Sequence, residues 1–377
     1  MNEKPMERRG RVFRVADVLR GLGYAIIAAL FLGVAYFWLP ASAHYHVTER
    51  YLFTASEEAQ IFLGVLAPKS GPYQIVEALR VAWDGVEERR SEKYVDVIRL
   101  EGNVEDGGSL EAVIDYAVIL PQGRAVWDAP VEDFQLSPQT HIESDHPKIL
   151  ALAAESVDGS SREDAYRIYK FASRALSWPQ GTRINVEPSA LVALETGVGG
   201  CAEFANLTVA LCRAAEIPAQ TVSGIMMPTL PPFWPAQTRT GLHPGGAHAW
   251  VEFHTSAGWE MADPSWASSP LPARIWFGRN DGLHLSYGEA GLEERIFEET
   301  VAWASGVGDT LGWMSAPLKF AAGSDSESVT VTPVVTLKKG WDGRWFNVIV
   351  TMILLAILLR LLENRLNQNG FSRAKAE

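Results

Sequence analysis

The chain has 377 residues, 47% of them hydrophobic and 21% charged, which allows two globular domains with additional segments. Its formal net charge of −12 is concentrated in the middle, where residues 40–344 hold 23 basic and 40 acidic residues, a net charge of −17. This acidic region, which also favours solubility, argues against nucleic acid as a partner, because phosphate groups require a basic surface.

Two apolar runs of 18 residues, Leu22–Leu39 and Trp345–Leu362, are long enough to approach the span of a bilayer core. Trp38 and Trp345 stand at the ends that would share one membrane interface. Basic tails, 1–21 and 363–377, lie on the terminal sides of both runs, and the positive-inside rule therefore predicts that both tails are cytoplasmic. We expect a protein of the cell (inner) membrane whose main domain is periplasmic or extracytoplasmic.

The N-terminal run has a second interpretation. Ala41-Ser42-Ala43 has the small-x-small spacing of a signal-peptidase site, with cleavage after Ala43. The apolar run is longer than the usual signal core of about 7–15 residues. The sequence therefore favours a retained transmembrane helix, and both interpretations export the same domain.

Residues 44–135 lack strong helical periodicity and hold candidate strands, spaced about 10–18 residues apart and separated by turn-forming residues, which predicts a small β-sandwich-like domain. A helix over 74–90 remains an alternative. The predicted strands are 45–54, 59–67, 74–83, 93–100 and 110–120.

The pattern changes near residue 138, and residues 138–337 predict an α+β domain. Helices are expected over 148–157, from about 161 to 175, over 188–195, and from Cys201 to Ile217-Pro218. The long segment 226–246, rich in Pro, Gly and Trp, predicts a functional loop. The predicted strands are 219–225, 246–254, 258–263 and 329–337.

A glycine-rich turn, 197–200, brings Cys201 to the first turn of a helix. The unpaired N–H groups and the helix dipole favour a thiolate there, and the same N–H groups are suited to bind an oxyanion. Cys212 lies eleven residues later on the same predicted helix, roughly 16 Å away, which is too far for a disulfide. We expect Cys212 to be a buried apolar side chain.

A predicted hairpin around Thr255–Gly258 carries a histidine and a carboxylate. A four-residue loop at 254–257 would place His248 directly opposite Asp263, and a shift of one residue would make them diagonal neighbours. In either register the carboxylate is able to orient the imidazole as a base for a thiol.

The sequence resembles the transglutaminase-like superfamily over roughly residues 138–290. The resemblance rests on the order and spacing of several motifs, since each motif alone is weak. It implies a papain-like transglutaminase core with Cys201 as nucleophile, His248 as general base and acid, and Asp263 as orienting carboxylate. It also implies reaction with peptide or protein carboxamides, or with peptide bonds, through a thioester. The motifs are the helix start at 144–147, Gly200-Cys201, 213–220, 248–252 and 263–266, with Glu216 and Gln220 departing from the usual pattern.

Several alternatives stay open at this level. The chain could be a catalytically silent binding or scaffold module, and protease, deamidase and cross-linking activities are not separated. His44 and His46 form a His-x-His pair without an evident third metal ligand, so we expect no metal and no organic cofactor. Three tryptophans could line a cleft, but we expect each of them to pack in the core. One of the three, Trp178, is also a candidate for stabilising an oxyanion. These tryptophans are Trp178, Trp234 and Trp250.

Overall fold

The computed structural model describes residues 15–37, 41–179, 188–228, 235–238, 246–266, 273–306, 308–314 and 319–373. The chain divides into two units. Residues 41–342 form one compact unit, and the two terminal segments, 1–40 and 343–377, form the other.

The described residues form seven α-helices and sixteen strands. The helices are α1 (Val15–Phe37), α2 (Pro147–Ser156), α3 (Ser161–Ala175), α4 (Ala190–Thr196), α5 (Cys201–Ala214), α6 (Ala290–Ser305) and α7 (Gly343–Arg373). The first eight strands are β1 (Ala41–Ala55), β2 (Ala59–Pro68), β3 (Ile75–Ala82), β4 (Val86–Ser91), β5 (Val95–Val104), β6 (Ser109–Arg124), β7 (Val126–Trp127) and β8 (Ala219–Met226). The others are β9 (Pro235–Thr238), β10 (Gly246–Thr255), β11 (Gly258–Ala262), β12 (Arg279–Asn280), β13 (His284–Glu289), β14 (Asp309–Met314), β15 (Phe320–Ser324) and β16 (Val329–Asp342).

Two antiparallel sheets share the largest core. One has the order β12-β6-β1-β16-β9, with β3 also paired to β6, and the other has the order β14-β15-β2-β5-β4. Strand β1 alternates strictly between buried and more exposed residues over most of its length, because successive side chains of a strand point to opposite faces. Its inward face contributes Tyr45, Val47, Tyr51 and Phe53 to this core.

One carboxylate, that of Glu49, lies on the same inward face. Its two oxygens accept hydrogen bonds from the hydroxyl groups of Tyr51 and Tyr116, both at 2.8 Å. Burial disfavours the charged form and, although both hydrogen bonds oppose this effect, raises the pKa of Glu49 to about 7.

The C-terminal strands complete both sheets. Strand β16 pairs with β1 from Ala43↔Asp342 to Ala55↔Val329, and β15 pairs with β2. Residues 41–342 are therefore one compact unit, which differs from the predicted division into domains 44–135 and 138–337. The physical reason is that strands far apart in sequence share one set of backbone hydrogen bonds and one core.

The predicted N-terminal strands correspond to β1, β2, β3, β5 and β6, and residues 75–82 are a strand, so the alternative of a helix over 74–90 is wrong. Strand β4 was not predicted, because Val86–Ser91 consists mainly of charged residues with no apolar alternation. All six of its residues are exposed, and it forms the end of its sheet. Charged side chains on an end strand discourage pairing with another chain.

A third sheet has the order β13-β8-β10-β11-β7; α5 and α3 pack against it, and α2 and α4 pack against α5. Helix α5 is buried along nearly its whole length, from Glu203 to Arg213, because it packs against α2, α3 and α4 as well as β8 and β10. It ends at Ala214, three residues before the predicted stop, where Glu216 has a positive φ of 58°. This arrangement confirms a mixed α and β fold.

The terminal unit contains α1 and α7, which contact each other. Within α7, Gly343–Leu361 is the one described helix segment long and apolar enough to cross a membrane, and only 6% of it is buried. This segment agrees with the predicted span 345–362. In α1 the apolar segment is the shorter Ala25–Ala35, so the predicted N-terminal span over 22–39, whose last two residues fall outside the described ranges, stays a prediction.

Candidate active site

Cys201 is the first residue of α5, as the sequence predicts. The turn before it is fixed by backbone hydrogen bonds, because Ser177 donates to the Gly197 carbonyl and Gly199 donates to the Ser177 carbonyl. The Gly200 N–H donates to Oε2 of Glu203 at 2.8 Å. A helix leaves its first N–H groups without carbonyl partners inside the helix, so these groups lie next to the thiol.

The Cys201 thiol interacts with His248 and with the backbone N–H of Ala249, and both interactions lower its pKa. Burial by itself would raise the pKa of this thiol. The hydrogen bond and charge of His248, together with the N–H of Ala249, outweigh burial, and the pKa of Cys201 lies below its ordinary value. Cys201 is therefore ionised more readily than an ordinary cysteine.

Cys212 has the opposite environment. It is buried inside α5, and desolvation raises the pKa of its thiol to about 12. Both cysteines are free, which confirms the prediction that they do not pair.

The hairpin β10–β11 brings His248 and Asp263 together, with His248 Nε2 2.7 Å from Asp263 Oδ2. Its register pairs Thr255 with Gly258 across a two-residue turn and Val251 with Ala262. His248 and Asp263 are therefore not directly opposite, as a four-residue loop would place them. The hairpin has the register shifted by one residue, which makes them diagonal neighbours.

The hydrogen bond to Asp263 uses Nε2 of His248, so Nδ1 is the ring nitrogen left for the thiol. Burial tends to lower the pKa of His248, but the hydrogen bond and the charge of Asp263 raise it to about 9. An imidazolium next to a thiol of lowered pKa stabilises the thiolate, and a fixed carboxylate stabilises the imidazolium. The arrangement can thus hold a thiolate–imidazolium pair near neutral pH.

Asp263 is almost completely enclosed by hydrogen-bond donors. Its Oδ1 accepts from the backbone N–H and the hydroxyl of Ser265, at 2.9 and 2.7 Å. Its Oδ2 accepts from His248 and, at 3.2 Å, from Nε2 of His284. Burial would raise the pKa of this carboxyl, but the two histidines, with their charges and hydrogen bonds, hold it well below its usual range.

Sequence reasoning missed His284 and its second partner, Asp281, whose Oδ1 lies 2.9 Å from His284 Nδ1. His284 begins β13, which pairs with β8, and β8 in turn pairs with β10, the strand that carries His248. Two strand pairings between distant segments create this proximity. The four-residue segment Asp281–His284 carries no local signal for it.

His248, Asp263 and His284 offer ligand atoms that lie within 4.8 Å of one another, a separation that would allow a metal ion. However, both imidazoles direct an N–H at the same carboxylate oxygen. A metal would have to displace both protons, so the donor set fits a hydrogen-bonded cluster better than a metal site.

The remaining predicted residues lie elsewhere. Trp250 is fully buried and packs against the rings of both His248 and His284, and Trp178 is 49% exposed beside Phe204 on α5. Trp234 lies outside the described residues. The predicted loop 226–246 contains the short strand β9 in its described part, which pairs with β16.

The His-x-His pair lies on β1. His44 contacts the Ser42 hydroxyl and His46 contacts Asp115, each at 2.9 Å. Among the described residues neither belongs to a group of three metal-ligating side chains.

A cavity of about 700 Å³ lies between α5 and α6 and is not lined by Cys201 or His248 themselves. It reaches Ala202 and Ala249, the sequence neighbours of Cys201 and His248, and extends towards α6. Its far wall carries Glu289 and Glu294. A pocket of this size is large enough for a substrate side chain or a short peptide segment.

Residues 151–264 match the family model described as the transglutaminase-like superfamily. No curated protein matches the chain. Among solved structures, a candidate cysteine protease from Cytophaga hutchinsonii has 14% identity and a TM-score of 0.44, over 80% of this chain and 93% of that one. The periplasmic domain of TgpA from Pseudomonas aeruginosa has 18% identity and a TM-score of 0.30, over 59% of this chain and 92% of that one. These structural similarities are too weak to support a statement about activity. Over residues 151–264 the chain is therefore similar to the transglutaminase-like superfamily.

Proposed function

We propose that this chain is a thiol enzyme that transfers acyl groups from carboxamide or peptide carbonyls of a peptide or protein substrate. The observation that carries the proposal is the position of Cys201 at the start of a helix, where His248, hydrogen-bonded to Asp263, lowers the pKa of its thiol. The family match supports the same class of reaction, because transglutaminase-like domains are typically cysteine enzymes.

In the first half-reaction the Cys201 thiolate attacks the carbonyl carbon and a C–S bond forms. Negative charge develops on the carbonyl oxygen, and the N–H groups of the first turn of α5 are suited to stabilise it. The protonated His248 gives its proton to the leaving nitrogen, the C–N bond breaks, and ammonia or an amine departs. A thioester on Cys201 and a neutral His248 remain.

In the second half-reaction the neutral His248 removes a proton from the acyl acceptor. The acceptor attacks the thioester, the C–S bond breaks, and the thiolate–imidazolium pair is restored. Water as acceptor gives hydrolysis, which is proteolysis or deamidation according to the bond attacked, and a substrate amine gives a cross-link. Asp263 keeps the imidazole oriented through both steps.

The reaction takes place outside the cytoplasm, on a domain anchored in the cell membrane. Support comes from the apolar segment Gly343–Leu361 of α7 and from the basic residues that follow it. The apolar run 22–39 supplies a second anchor that leaves both termini in the cytoplasm.

The test is to trap the acyl-enzyme. The full-length chain is incubated with a library of peptides containing glutamine and asparagine, quenched in acid and digested, and adducts are located by mass spectrometry. We expect acyl adducts on the peptide that contains Cys201, their loss in Cys201→Ala, and their persistence in the matched variant Cys212→Ala. The acyl group identifies the donor, and an added amine shows whether water or amine resolves the thioester.

The competing function is a binding or scaffold module that keeps the fold without catalysis. A small alkylating reagent distinguishes the two functions. If Cys201 and Cys212 react equally at mildly acidic pH, the thiol is not activated and the enzyme proposal fails.

A further inference from the structure

We infer that His284, held by Asp281, is a positioning residue that fixes the Asp263 carboxylate against His248 and offsets its charge. This inference rests on the proposed function, because it concerns the proton affinities of His248 and Cys201 in that same site. Both His284 and Asp281 lie outside the segment that matches the family model.

The first step concerns protons. The Asp263 oxygen Oδ2 is an acceptor for both imidazoles, so Nε2 of His284 must carry a hydrogen. Nδ1 of the same ring faces Oδ1 of Asp281 at 2.9 Å, and that oxygen also accepts the Leu283 N–H at 2.8 Å. An imidazole with a carboxylate oxygen at each nitrogen takes a proton on each and is an imidazolium.

The second step concerns rigidity. The His284 ring is only 3% exposed and lies against Trp250, with ring centres 4.9 Å apart, and against Trp266 at 6.2 Å. Asp281 holds Nδ1 of the ring in place, so Nε2 can donate its hydrogen bond only in the direction of Asp263. The Asp263 oxygen that orients His248 is therefore itself held by a second, fixed donor.

The third step concerns charge. The rings of His248 and His284 have their centres 5.3 Å apart, with the Asp263 carboxylate accepting from both. A positive charge at His284 offsets part of the negative charge that Asp263 presents to the thiol and to His248. Burial opposes a charged His284, but Asp281 and Asp263 outweigh it and raise its pKa to about 10. His284 thus remains charged throughout the neutral range.

Other titratable groups around this cluster do not supply the same charge. Tyr169 of α3 faces Asp263, and its burial raises its pKa well above the ordinary value, so it is neutral. Within the described part of the chain, the titratable groups that face the cluster from the packed elements are Asp281, Asp263, His248, Cys201 and Tyr169.

Replacing His284 by glutamine keeps a donor for Asp263 but removes the positive charge. The uncompensated carboxylate then disfavours the Cys201 thiolate and favours the proton on His248. Both limbs of any pH–rate profile, and the midpoint of Cys201 alkylation, should move to higher pH. We expect about one pH unit, the lower end of the effect of a neighbouring charge.

The experiment follows alkylation of Cys201 in the full-length chain by iodoacetamide from pH 4 to 10, with mass spectrometry of the peptide. His284→Gln should raise the midpoint by about one unit, and Asp281→Asn should raise it by less. His254→Gln, on the same strand as His248 but packed against Trp259, is the matched control and should leave it unchanged. A purely structural role for His284 would reduce labelling or stability without moving the midpoint.

A second measurement does not depend on the thiol. In full-length protein with ¹⁵N-labelled histidine, the ring nitrogens of His284, assigned by their loss in His284→Gln, should both carry hydrogen at pH 8. An ordinary histidine is neutral there. A singly protonated His284 overturns the inference, as does an unchanged midpoint in His284→Gln while wild-type Cys201 still labels ahead of Cys212. The proposed function survives both results and fails only if wild-type Cys201 behaves as an ordinary thiol.

Discussion

Asp263 uses its two oxygens differently. Among the residues that the structure describes, Oδ1 accepts from Ser265 and Oδ2 accepts from the two imidazoles. In Asp263→Asn, the donors of Ser265 would hold the amide oxygen at the Oδ1 position and leave the NH₂ group facing His248. Nε2 of His248 would then have to accept, and its proton would move to Nδ1, next to the thiol.

We therefore expect Asp263→Asn to keep the fold and to lose the thiolate–imidazolium pair. Turnover should fall by roughly three to four orders of magnitude, because the imidazole has the wrong tautomer. The labelling midpoint of Cys201 should rise towards the ordinary thiol value of about 8.5. Turnover and alkylation across pH are the measurements, with the exposed turn variant Asp106→Asn as control. Full turnover in Asp263→Asn would remove this carboxylate from the mechanism.

Glu49 gives a second prediction for a single residue, this time for stability. Its pKa of about 7 in the folded protein lies above its ordinary value of 4.5, so folding favours the protonated carboxyl. This stabilisation is complete below pH 4.5 and is lost as the pH rises through 7. The loss is about 3 kcal/mol, at about 1.4 kcal/mol for each pKa unit.

In Glu49→Gln the amide has one donor and one acceptor for Tyr51 and Tyr116 and does not titrate. The wild-type chain should therefore lose thermal stability between pH 5 and 8, and Glu49→Gln should lose less. Unfolding temperatures in detergent at a series of pH values measure the difference. Parallel curves for the two proteins would contradict a titrating Glu49.

The position of Cys201 at a helix start and the contact of His248 with Asp263 could be predicted from the sequence, because each residue lies in a local pattern. A glycine turn precedes the cysteine, and a short hairpin carries the other two residues. His284 could not be found in this way, since its relation to Asp263 passes through the pairing of β13 with β8 and of β8 with β10. Contacts set by strand order leave no trace in nearby sequence.

At the scale of the element, the hairpin β10–β11 shows how far local patterning reaches. Its strands and turn region could be predicted, but its register could not, because Thr255–Gly258 is compatible with more than one loop length. Gly258 directly follows the two-residue turn and has a φ of +110°, a conformation that residues other than glycine rarely adopt. Strand β4 shows the opposite case, in which an element exists without the apolar alternation that predicts it.

Strand β8 has no space for a side chain at Gly224. A Cβ atom there would lie 2.2 Å from the Leu285 carbonyl oxygen and 2.5 Å from the ring of Trp250. Gly224→Ala must therefore displace the Leu285 carbonyl or the ring of Trp250, which packs against both His248 and His284. We expect a loss of about 1–3 kcal/mol in the free energy of unfolding, typical of overpacking, together with slower alkylation of Cys201 at neutral pH.

The matched control is Gly246→Ala on β10, where an added Cβ would have no atom within 4 Å. Thermal unfolding and alkylation of both variants are the measurements. Equal behaviour of the two would show that the space around Trp250 does not constrain the site.

At the scale of the whole molecule, the sequence predicts which strands form better than it predicts how the strands pair and how the chain divides into domains. Two groups of strands could be recognised, one before residue 135 and one after residue 219. Their pairing into common sheets could not, because β1 and β16 are nearly 300 residues apart and either could have paired locally. The resulting compact unit spans residues 41–342.

This pairing bears on the N-terminal segment. Ala43 is fully buried and lies in β1 between Leu120 and Asp342. Cleavage after Ala43 would remove three residues from the strand, so we expect the N-terminal helix to be retained. Mass spectrometry of the membrane-derived protein should recover a peptide that spans Ala43-His44. A proteoform starting at His44 would show that cleavage precedes folding.

The same pairing, Ala43 with Asp342, has a use in the laboratory. Because the first and last strands of the compact unit run side by side, its two ends lie next to each other. A linker of a few residues should join Asp342 to Ala41, with new termini opened in the exposed turn at Asp106-Gly107. Such a circular permutant would free the ends of the unit from both flanking helices, and a cooperative melt together with selective alkylation of Cys201 would report that the unit folds without them.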